Sequence, residues 1–144
     1  MLISDVLRSK SSGPTVATVR PDESVRSLLA QLAEHNFGAL VVSNDGETIS
    51  GIVSERDIVR RLHEHGARLL DESVASIMTV DVYTCRSTEE VAQIQRTMTD
   101  RRIRHLPVVD DGRLVGLVSI GDVVKSTIAE LESEKEHLVG YITS

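Results

Sequence analysis

Aromatic residues are almost absent from this 144-residue chain, which contains one Phe, two Tyr and no Trp. A hydrophobic core must therefore be built from Val, Leu, Ile and Ala, and the aromatic platforms that stack nucleic acid bases are missing. The single cysteine, Cys85, excludes an internal disulfide and a thiolate zinc cluster. We expect Cys85 to be a small buried apolar residue.

Positive charge is also scarce, since 16 Lys and Arg against 22 Asp and Glu give a formal net charge of −6. This balance argues against nucleic acid or an anionic membrane surface as the main partner. No apolar run approaches the roughly 18 to 20 residues of a membrane helix. The amphipathic N-terminus lacks the apolar region of a signal peptide, so we expect a cytoplasmic protein.

One short pattern occurs twice, as GIVSERD at 51–57 and as GLVSIGD at 116–122. Each copy reads as Gly, two apolar β-formers, Ser, two variable residues and Asp, and an apolar pair follows. This order predicts a strand that runs directly into the start of a helix. The Ser and Asp side chains have two interpretations, which are a helix cap and a nucleotide-binding cradle.

In the cap interpretation, the Ser hydroxyl accepts from a backbone N–H and the Asp carboxylate reaches back to the Ser N–H. In the cradle interpretation, helix-start N–H groups and the Ser hydroxyl face a phosphate. The Asp carboxylate, which only accepts hydrogen bonds, then takes both hydroxyls of a ribose. Two copies in matching contexts favour the cradle.

The remaining sequence repeats around these two stretches. Thr18 matches Thr84 and Leu40 matches Leu106, and each half is predicted as helix, strand, helix, strand, strand, helix. The predicted strands are 16–19, 39–42, 49–53, 82–85, 104–109 and 114–118. The predicted helices lie within 1–8, 24–35, 56–65, 74–78 and 87–101, and a last one runs from near residue 122 to 138.

This pattern predicts two repeats, 1–66 and 67–144, which pack against each other because neither can bury its apolar surface alone. The run Asn36-Phe37-Gly38 is expected to end the second helix, since Gly38 can adopt a positive φ. The C-terminal tail at 130–138 is either a solvated extension or a dimer helix. We expect six apolar residues to be buried, namely Leu29, Leu40, Val53, Ile94, Leu106 and Val118.

The duplicated order, both Gly-x-x-Ser-x-x-Asp stretches and the run Arg104-His105-Leu106-Pro107-Val108-Val109-Asp110 resemble a tandem pair of cystathionine-β-synthase (CBS) domains. Such a pair is often called a Bateman module, and the resemblance covers roughly residues 2–140. It implies an α/β (α+β) fold in which two pseudo-symmetric repeats pack through their sheets. It also implies two equivalent clefts for adenine ligands such as AMP, ADP, ATP, NAD or S-adenosylmethionine, and assembly into a homodimer.

The resemblance further implies that each cleft draws on both repeats. The first cleft is expected to combine Ser54, Arg56 and Asp57 with Thr79, Val82, Tyr83, Arg104, His105 and Pro107. The second is expected to combine Ser119, Gly121 and Asp122 with Ser12, Val16, Ala17, Phe37, Gly38 and Ala39. The repeats differ where Val41 matches Pro107 and Gly38 matches Arg104, so we expect the two clefts to bind unequally.

The expected function is that of a regulatory module without catalysis, which senses adenine nucleotide and acts on a partner protein that the sequence does not identify. The chain has no P-loop, no Gly-x-Gly-x-x-Gly and no nucleophile with a recognisable base. His63 and His65 lie on different helix faces, so no metal site is predicted. The alternative is a ligand-free CBS pair that serves only for dimerisation or docking.

Overall fold

In the computed structural model, which describes residues 1–10 and 16–143, helices and strands alternate in two similar sets. The first set is α1 (Ile3–Ser9), β1 (Thr18–Val19), α2 (Val25–His35), β2 (Ala39–Val42), β3 (Gly51–Ser54) and α3 (Glu55–His65). A 3₁₀ helix (Gly66–Asp71) leads to the second set, which is α4 (Val74–Ile77), α5 (Val91–Arg101), β4 (His105–Asp110), β5 (Arg113–Ser119) and α6 (Ile120–Thr143). The predicted mixed α/β class is confirmed.

Each set builds a small sheet around an antiparallel hairpin. In the first sheet, β2 pairs with β3, with Leu40 opposite Val53, and β1 adds a parallel strand beside β2. In the second sheet, β4 pairs with β5, with Leu106 opposite Val118. The corresponding hydrophobic pairs therefore occupy the same register in both repeats.

The strand predicted at 82–85 is absent, and Cys85 forms a single parallel bridge to Val108 in its place. Cys85 donates its N–H to the Pro107 carbonyl and accepts from the Val109 N–H. Continued parallel pairing would need an N–H from residue 107 to the carbonyl of Tyr83, but proline has none to donate. In the first repeat Val41 occupies the equivalent position, and β1 pairs over two residues.

Helix α2 ends just before Asn36-Phe37-Gly38 as predicted, but the residue with a positive φ differs. Asn36, not Gly38, adopts the left-handed conformation, with φ of 56°, and its N–H donates to the Leu32 carbonyl. Asparagine tolerates this conformation better than most residues. Arg102 has φ of 55° and ends α5 in the same way, so the two repeats share this turn.

Two hydrophobic cores form, and the repeats exchange their first helices between them. Ile3 and Val6 of α1 are buried among the second set, whereas Val74 and Ile77 of α4 are buried among the first. Backbone bonds anchor both exchanged helices, for example from Val91 to the carbonyl of Met1 at 3.0 Å. Neither core is complete without a helix from the other half of the sequence. The division at residues 66 and 67 stays a prediction.

Five of the six predicted core residues are confirmed as buried, namely Leu40, Val53, Ile94, Leu106 and Val118. Leu29 is only partly buried, because α2 turns Val25, Leu28 and Leu32 toward the core and leaves Leu29 at the edge. Cys85 is buried as expected. Desolvation, with the nearby charges of Glu89 and Asp110, raises the pKa of its thiol to about 12.

The last helix, α6, starts two residues earlier than predicted and continues to Thr143. Its residues from 128 onward are exposed, and several of these exposed residues are apolar. Over residues 1–10 and 16–143, no helix is long and apolar enough to cross a membrane.

The glycine that begins each Gly-x-x-Ser-x-x-Asp stretch permits an exchanged helix to pack closely. A Cβ atom added at Gly51 would lie 2.8 Å from the Met78 sulfur and 2.8 Å from the Thr79 carbonyl oxygen. A Cβ atom added at Gly116 would lie 2.5 Å from a methyl carbon of Leu7. Leu7 and Met78 thus occupy equivalent positions over the two glycines.

We predict that Gly51→Ala lowers the free energy of unfolding by about 1–3 kcal/mol, the usual cost of overpacking. The Thr79 backbone cannot yield easily, because it exchanges hydrogen bonds of 2.9 and 3.0 Å with Ile52. Gly116→Ala should lower the free energy of unfolding by less, since the Leu7 side chain that it meets can change its rotamer. Gly140→Ala is the control, because nothing lies within 4 Å of its added Cβ. Urea unfolding of the three variants measures the difference, and equal stability of Gly51→Ala and Gly140→Ala would contradict the packing role.

Candidate functional site

Two clefts lie on either side of His105, and each receives the start of the helix that follows a Gly-x-x-Ser-x-x-Asp stretch. The Asp57 cleft has a volume of about 610 Å³ and the Asp122 cleft about 480 Å³. Gly38, Ala39 and His105 line both of them. Each cleft draws residues from both repeats.

The Asp57 cleft brings together most of the residues predicted for it. The predicted residues that line it are Ser54, Arg56, Asp57, Thr79, Val82, Tyr83, Arg104 and His105. Pro107 is buried on β4 and is not part of this lining. Its binding role therefore stays a prediction.

Ser54 and Asp57 form the helix cap at the start of α3. The Asp57 N–H donates to the Ser54 hydroxyl at 3.3 Å, and one Asp57 carboxylate oxygen accepts from the Ser54 N–H at 2.9 Å. The Ser54 hydroxyl also lies 3.1 Å from that oxygen. The cap interpretation is thus confirmed, and the same carboxylate faces the cleft. Over residues 1–10 and 16–143, no cation forms an ion pair with Asp57.

Four arginines line the Asp57 cleft, which are Arg56, Arg101, Arg102 and Arg104. The Arg101 guanidinium lies 4.4 Å from the centre of the Tyr83 ring and donates to its hydroxyl at 2.7 Å. This cation–π contact and the hydrogen bond both hold the Arg101 side chain against Tyr83. The cleft therefore presents four guanidinium groups, which stand beside the four carboxylates of Glu55, Asp57, Asp81 and Asp100.

Arg101 and Arg102 were not among the predicted site residues, since a solvated helix end explains basic residues at that position. Asp81 and Asp100 also line the cleft unpredicted. The position of Arg101 and Arg102 in the sequence, just before β4, could have predicted that they line the cleft. The turn at Arg102 brings the end of α5 beside Arg104. Their charge alone did not distinguish Arg101 and Arg102 from ordinary solvent-exposed arginines.

The Asp122 cleft contains fewer of its predicted residues. Phe37, Gly38, Ala39, Ser119 and Asp122 line it. Ala17 packs against the first core, and Gly121 lies in an outer groove beside Ile120 and Val124. Val16 is described but is not part of the cleft lining, whereas Ser12 lies outside the described residues. The binding roles of these four residues stay predictions.

The second cap repeats the first, but an unpredicted lysine joins it. The Asp122 N–H donates to the Ser119 hydroxyl at 3.1 Å, and Asp122 accepts from the Ser119 N–H at 2.9 Å. The Lys10 ammonium lies 2.9 Å from the same carboxylate oxygen. Burial raises the pKa of Asp122, but the bonds from Ser119 and Lys10 outweigh it and hold the pKa below its usual value.

His105 separates the two clefts. The imidazole lies against Gly38, where an added Cβ atom would come within 3.2 Å of two ring atoms. Burial, only partly opposed by the charge of Asp122, lowers the pKa of His105. The ring is therefore favoured as a neutral group that donates and accepts hydrogen bonds.

The duplicated architecture and the paired clefts match a known family. The model of the CBS domain matches this chain twice, over residues 3–64 and 74–128. The chain belongs to the CBS domain family. The curated mitochondrial protein CBSX3 of Arabidopsis thaliana is 37% identical to this CBS-domain chain in an alignment 146 positions long, which covers 97% of this chain and 71% of the relative.

Solved structures agree with this assignment. The CBS-domain protein ATU1752 from Agrobacterium tumefaciens is 38% identical, with a TM-score of 0.82 over 88% of this chain and 99% of that chain. The CBS pair of MJ0100, solved with 5′-methylthioadenosine and S-adenosyl-L-methionine, is 26% identical, with a TM-score of 0.77 over 88% and 99% of the two chains. CBSX2, solved with AMP, is 27% identical, with a TM-score of 0.73 over 89% and 96%. The predicted pairing of two CBS repeats is confirmed.

Proposed function

We propose that this CBS pair is a regulatory module that binds an adenine nucleotide, such as AMP, ATP or NAD, in the Asp57 cleft. The observation that carries the proposal is the Asp57 carboxylate, which caps α3, faces a 610 Å³ cleft and has no cationic partner in the described chain. A carboxylate is acceptor-only, so it suits the two hydroxyls of a ribose. The arginines around it suit phosphate.

The known complexes support the adenine class of ligand. MJ0100 carries 5′-methylthioadenosine and S-adenosyl-L-methionine, and CBSX2 carries AMP. All three ligands contain adenosine or a closely related nucleoside. For this chain, the nucleotide would act as a signal of energy or cofactor state that is passed to a partner protein. A cytoplasmic location stays a prediction, and the Arabidopsis relative is named as mitochondrial.

The alternative of a ligand-free scaffold draws on the cap itself. Both Ser–Asp pairs satisfy helix-start N–H groups, so these residues have a structural role even without a ligand. A scaffold would dock or dimerise with both clefts empty. Binding measurements on variants separate these possibilities.

Asp57→Ala should raise the Kd for AMP by about 10- to 100-fold, because charge-assisted hydrogen bonds to the ribose contribute roughly 1.5–3 kcal/mol. Calorimetry of the parent and variant measures the change. Asp5→Ala is the matched control, since Asp5 accepts from the Leu2 N–H at 2.9 Å and also caps a helix, but lies outside both clefts. Unchanged affinity in Asp57→Ala would leave the carboxylate as a cap only, and the absence of binding to AMP, ATP and NAD in the parent would favour the scaffold.

Arg104→Ala should weaken ATP more than AMP, because a guanidinium forks onto phosphate oxygens and ATP offers two further phosphates. Arg104 is exposed on the cleft wall, which leaves its guanidinium accessible. Arg113→Ala removes an exposed arginine that lines neither cleft, so it serves as the control. Titrations with both nucleotides give the ratio of affinities. An equal loss for AMP and ATP would show that Arg104 does not read the phosphate chain.

We also propose that the module forms a homodimer through the exposed apolar faces of α3 and α6. Val59 and Leu62 on α3, and Ile128 and Leu131 on α6, are 46–67% exposed. Val59 and Leu62 lie one turn apart, as do Ile128 and Leu131, so each helix exposes an apolar face, and exposed apolar patches mark association sites. The C-terminal part of α6 would then serve as a dimer helix.

Ile128→Glu should shift the protein from dimer to monomer in sedimentation velocity at micromolar concentration, because burying a carboxylate in an apolar interface is costly. Ser133→Glu places the same charge at an exposed polar position of the helix and should leave the dimer intact. A parent protein that sediments as a monomer at high concentration would remove this proposal.

A further inference from the structure

The two cap carboxylates differ in one respect, which is the presence of a cation. Asp57 accepts only from Ser54 among the bonds of the described chain, whereas Asp122 accepts from both Ser119 and Lys10. The Lys10 ammonium and the Asp122 carboxylate are 27% and 25% exposed, so this pair is largely withdrawn from solvent. Such a pair is screened less by salt than a surface pair.

The position of Lys10 is fixed by contacts at both ends of its side chain. Its backbone ends α1, a helix that is anchored in the second core through Ile3 and Val6. Its ammonium donates to the Leu117 carbonyl at 2.7 Å as well as to Asp122. An ammonium has three donors, and the protein satisfies two of them here. Lys10 is therefore a built part of the cleft wall.

The Asp57 cleft has the opposite charge at the matching position. Leu7 and Met78 pack over equivalent glycines, and Lys10 follows Leu7 by three residues as Asp81 follows Met78. Asp81 lines the Asp57 cleft and is exposed. The carbonyl of Ile52, which matches that of Leu117, accepts the backbone N–H of Thr79 instead of a lysine. The pseudo-symmetry of the module is thus broken at the residue that contacts the carboxylate.

We infer that Lys10 determines which cleft takes a nucleotide, by holding the Asp122 carboxylate that a ribose would need. This inference rests on the proposed function and adds its stoichiometry, which is one nucleotide per chain at Asp57. A ribose whose two hydroxyls take both oxygens of Asp122 must displace the ammonium from the oxygen that it shares with the Ser119 N–H, and with it the bond to the Leu117 carbonyl. A ribose that enters the Asp57 cleft has only to turn the Ser54 hydroxyl aside.

The test is calorimetry with AMP and ATP on the parent, Lys10→Met and Lys10→Met combined with Asp57→Ala. Methionine keeps an unbranched apolar stem and removes the ammonium. The parent should bind one nucleotide per chain, Lys10→Met should bind two, and the double variant should keep the second. Affinity at the Asp122 cleft should rise about tenfold or more, as expected when a charge-assisted bond no longer competes.

Two further variants serve as a substitute for Lys10→Met and as a control. Lys10→Gln keeps an N–H donor for the Leu117 carbonyl without the charge. It should also gain the second site, and it replaces Lys10→Met in the test if that variant does not fold. Lys125→Met removes another lysine at the rim of the same cleft, one that forms no ion pair in the described chain, and should gain no site. Melting curves without nucleotide establish that each variant is folded.

The outcomes separate this inference from the function on which it rests. One site in the parent that Asp57→Ala removes, with no gain in either folded Lys10 variant, would overturn the role of Lys10 and leave the proposed function standing. Two equal sites in the parent would overturn it in the same way. No binding of AMP or ATP to any of these proteins would overturn both.

Discussion

At the start of α3, the side chain of Asp57 both caps the helix and faces the cleft. The proposed function depends on this double role. A helix leaves its first N–H groups without partners, and Ser54 and Asp57 satisfy two of them. Since Asp57 bonds through one carboxylate oxygen, its other oxygen remains available to the cleft. The same residue can therefore hold the helix in place and present a fixed acceptor to a ligand. A cap of this kind positions the acceptor at no additional conformational cost.

The exchanged helices place the cleft walls around that acceptor. Because α4 packs in the first core, the segment that follows it carries Thr79 and Val82 to the edge of β3. Because α1 packs in the second core, the residue that ends it reaches Asp122. The motif glycines permit both approaches. The geometry of each cleft is thus a consequence of core packing in the opposite repeat.

The element order, both hairpins, both caps and most of the core followed from the sequence, because they depend on local periodicity and on short motifs. The predicted strand at 82–85 does not form, because Pro107 has no N–H to donate to the Tyr83 carbonyl. This cause depends on which residue of β4 faces the segment, and the local sequence does not show that. The end of α2 was predicted at Asn36-Phe37-Gly38 with the positive φ at Gly38, whereas Asn36 adopts the left-handed conformation. Glycine favours a positive φ, but at Gly38 the missing side chain instead leaves room for the imidazole of His105.

The site was harder to predict than the fold, since its members come from distant parts of the chain. The resemblance to CBS pairs named the residues around Asp57, but it did not identify Arg101 and Arg102 on the rim. It also gave no indication of Lys10, which is 112 residues from its partner Asp122. A contact between two such positions depends on the tertiary packing of α1, and no local pattern reports it.

The most direct test of the account is a crystal structure of the parent protein grown with AMP at saturating concentration. The account predicts one AMP per chain, with both ribose hydroxyls on the Asp57 carboxylate and the phosphate toward the arginines. It also predicts that Lys10 remains bonded to Asp122 in the same crystal. An AMP seated on Asp122 with Lys10 displaced, or an AMP that makes no contact with Asp57, would contradict it.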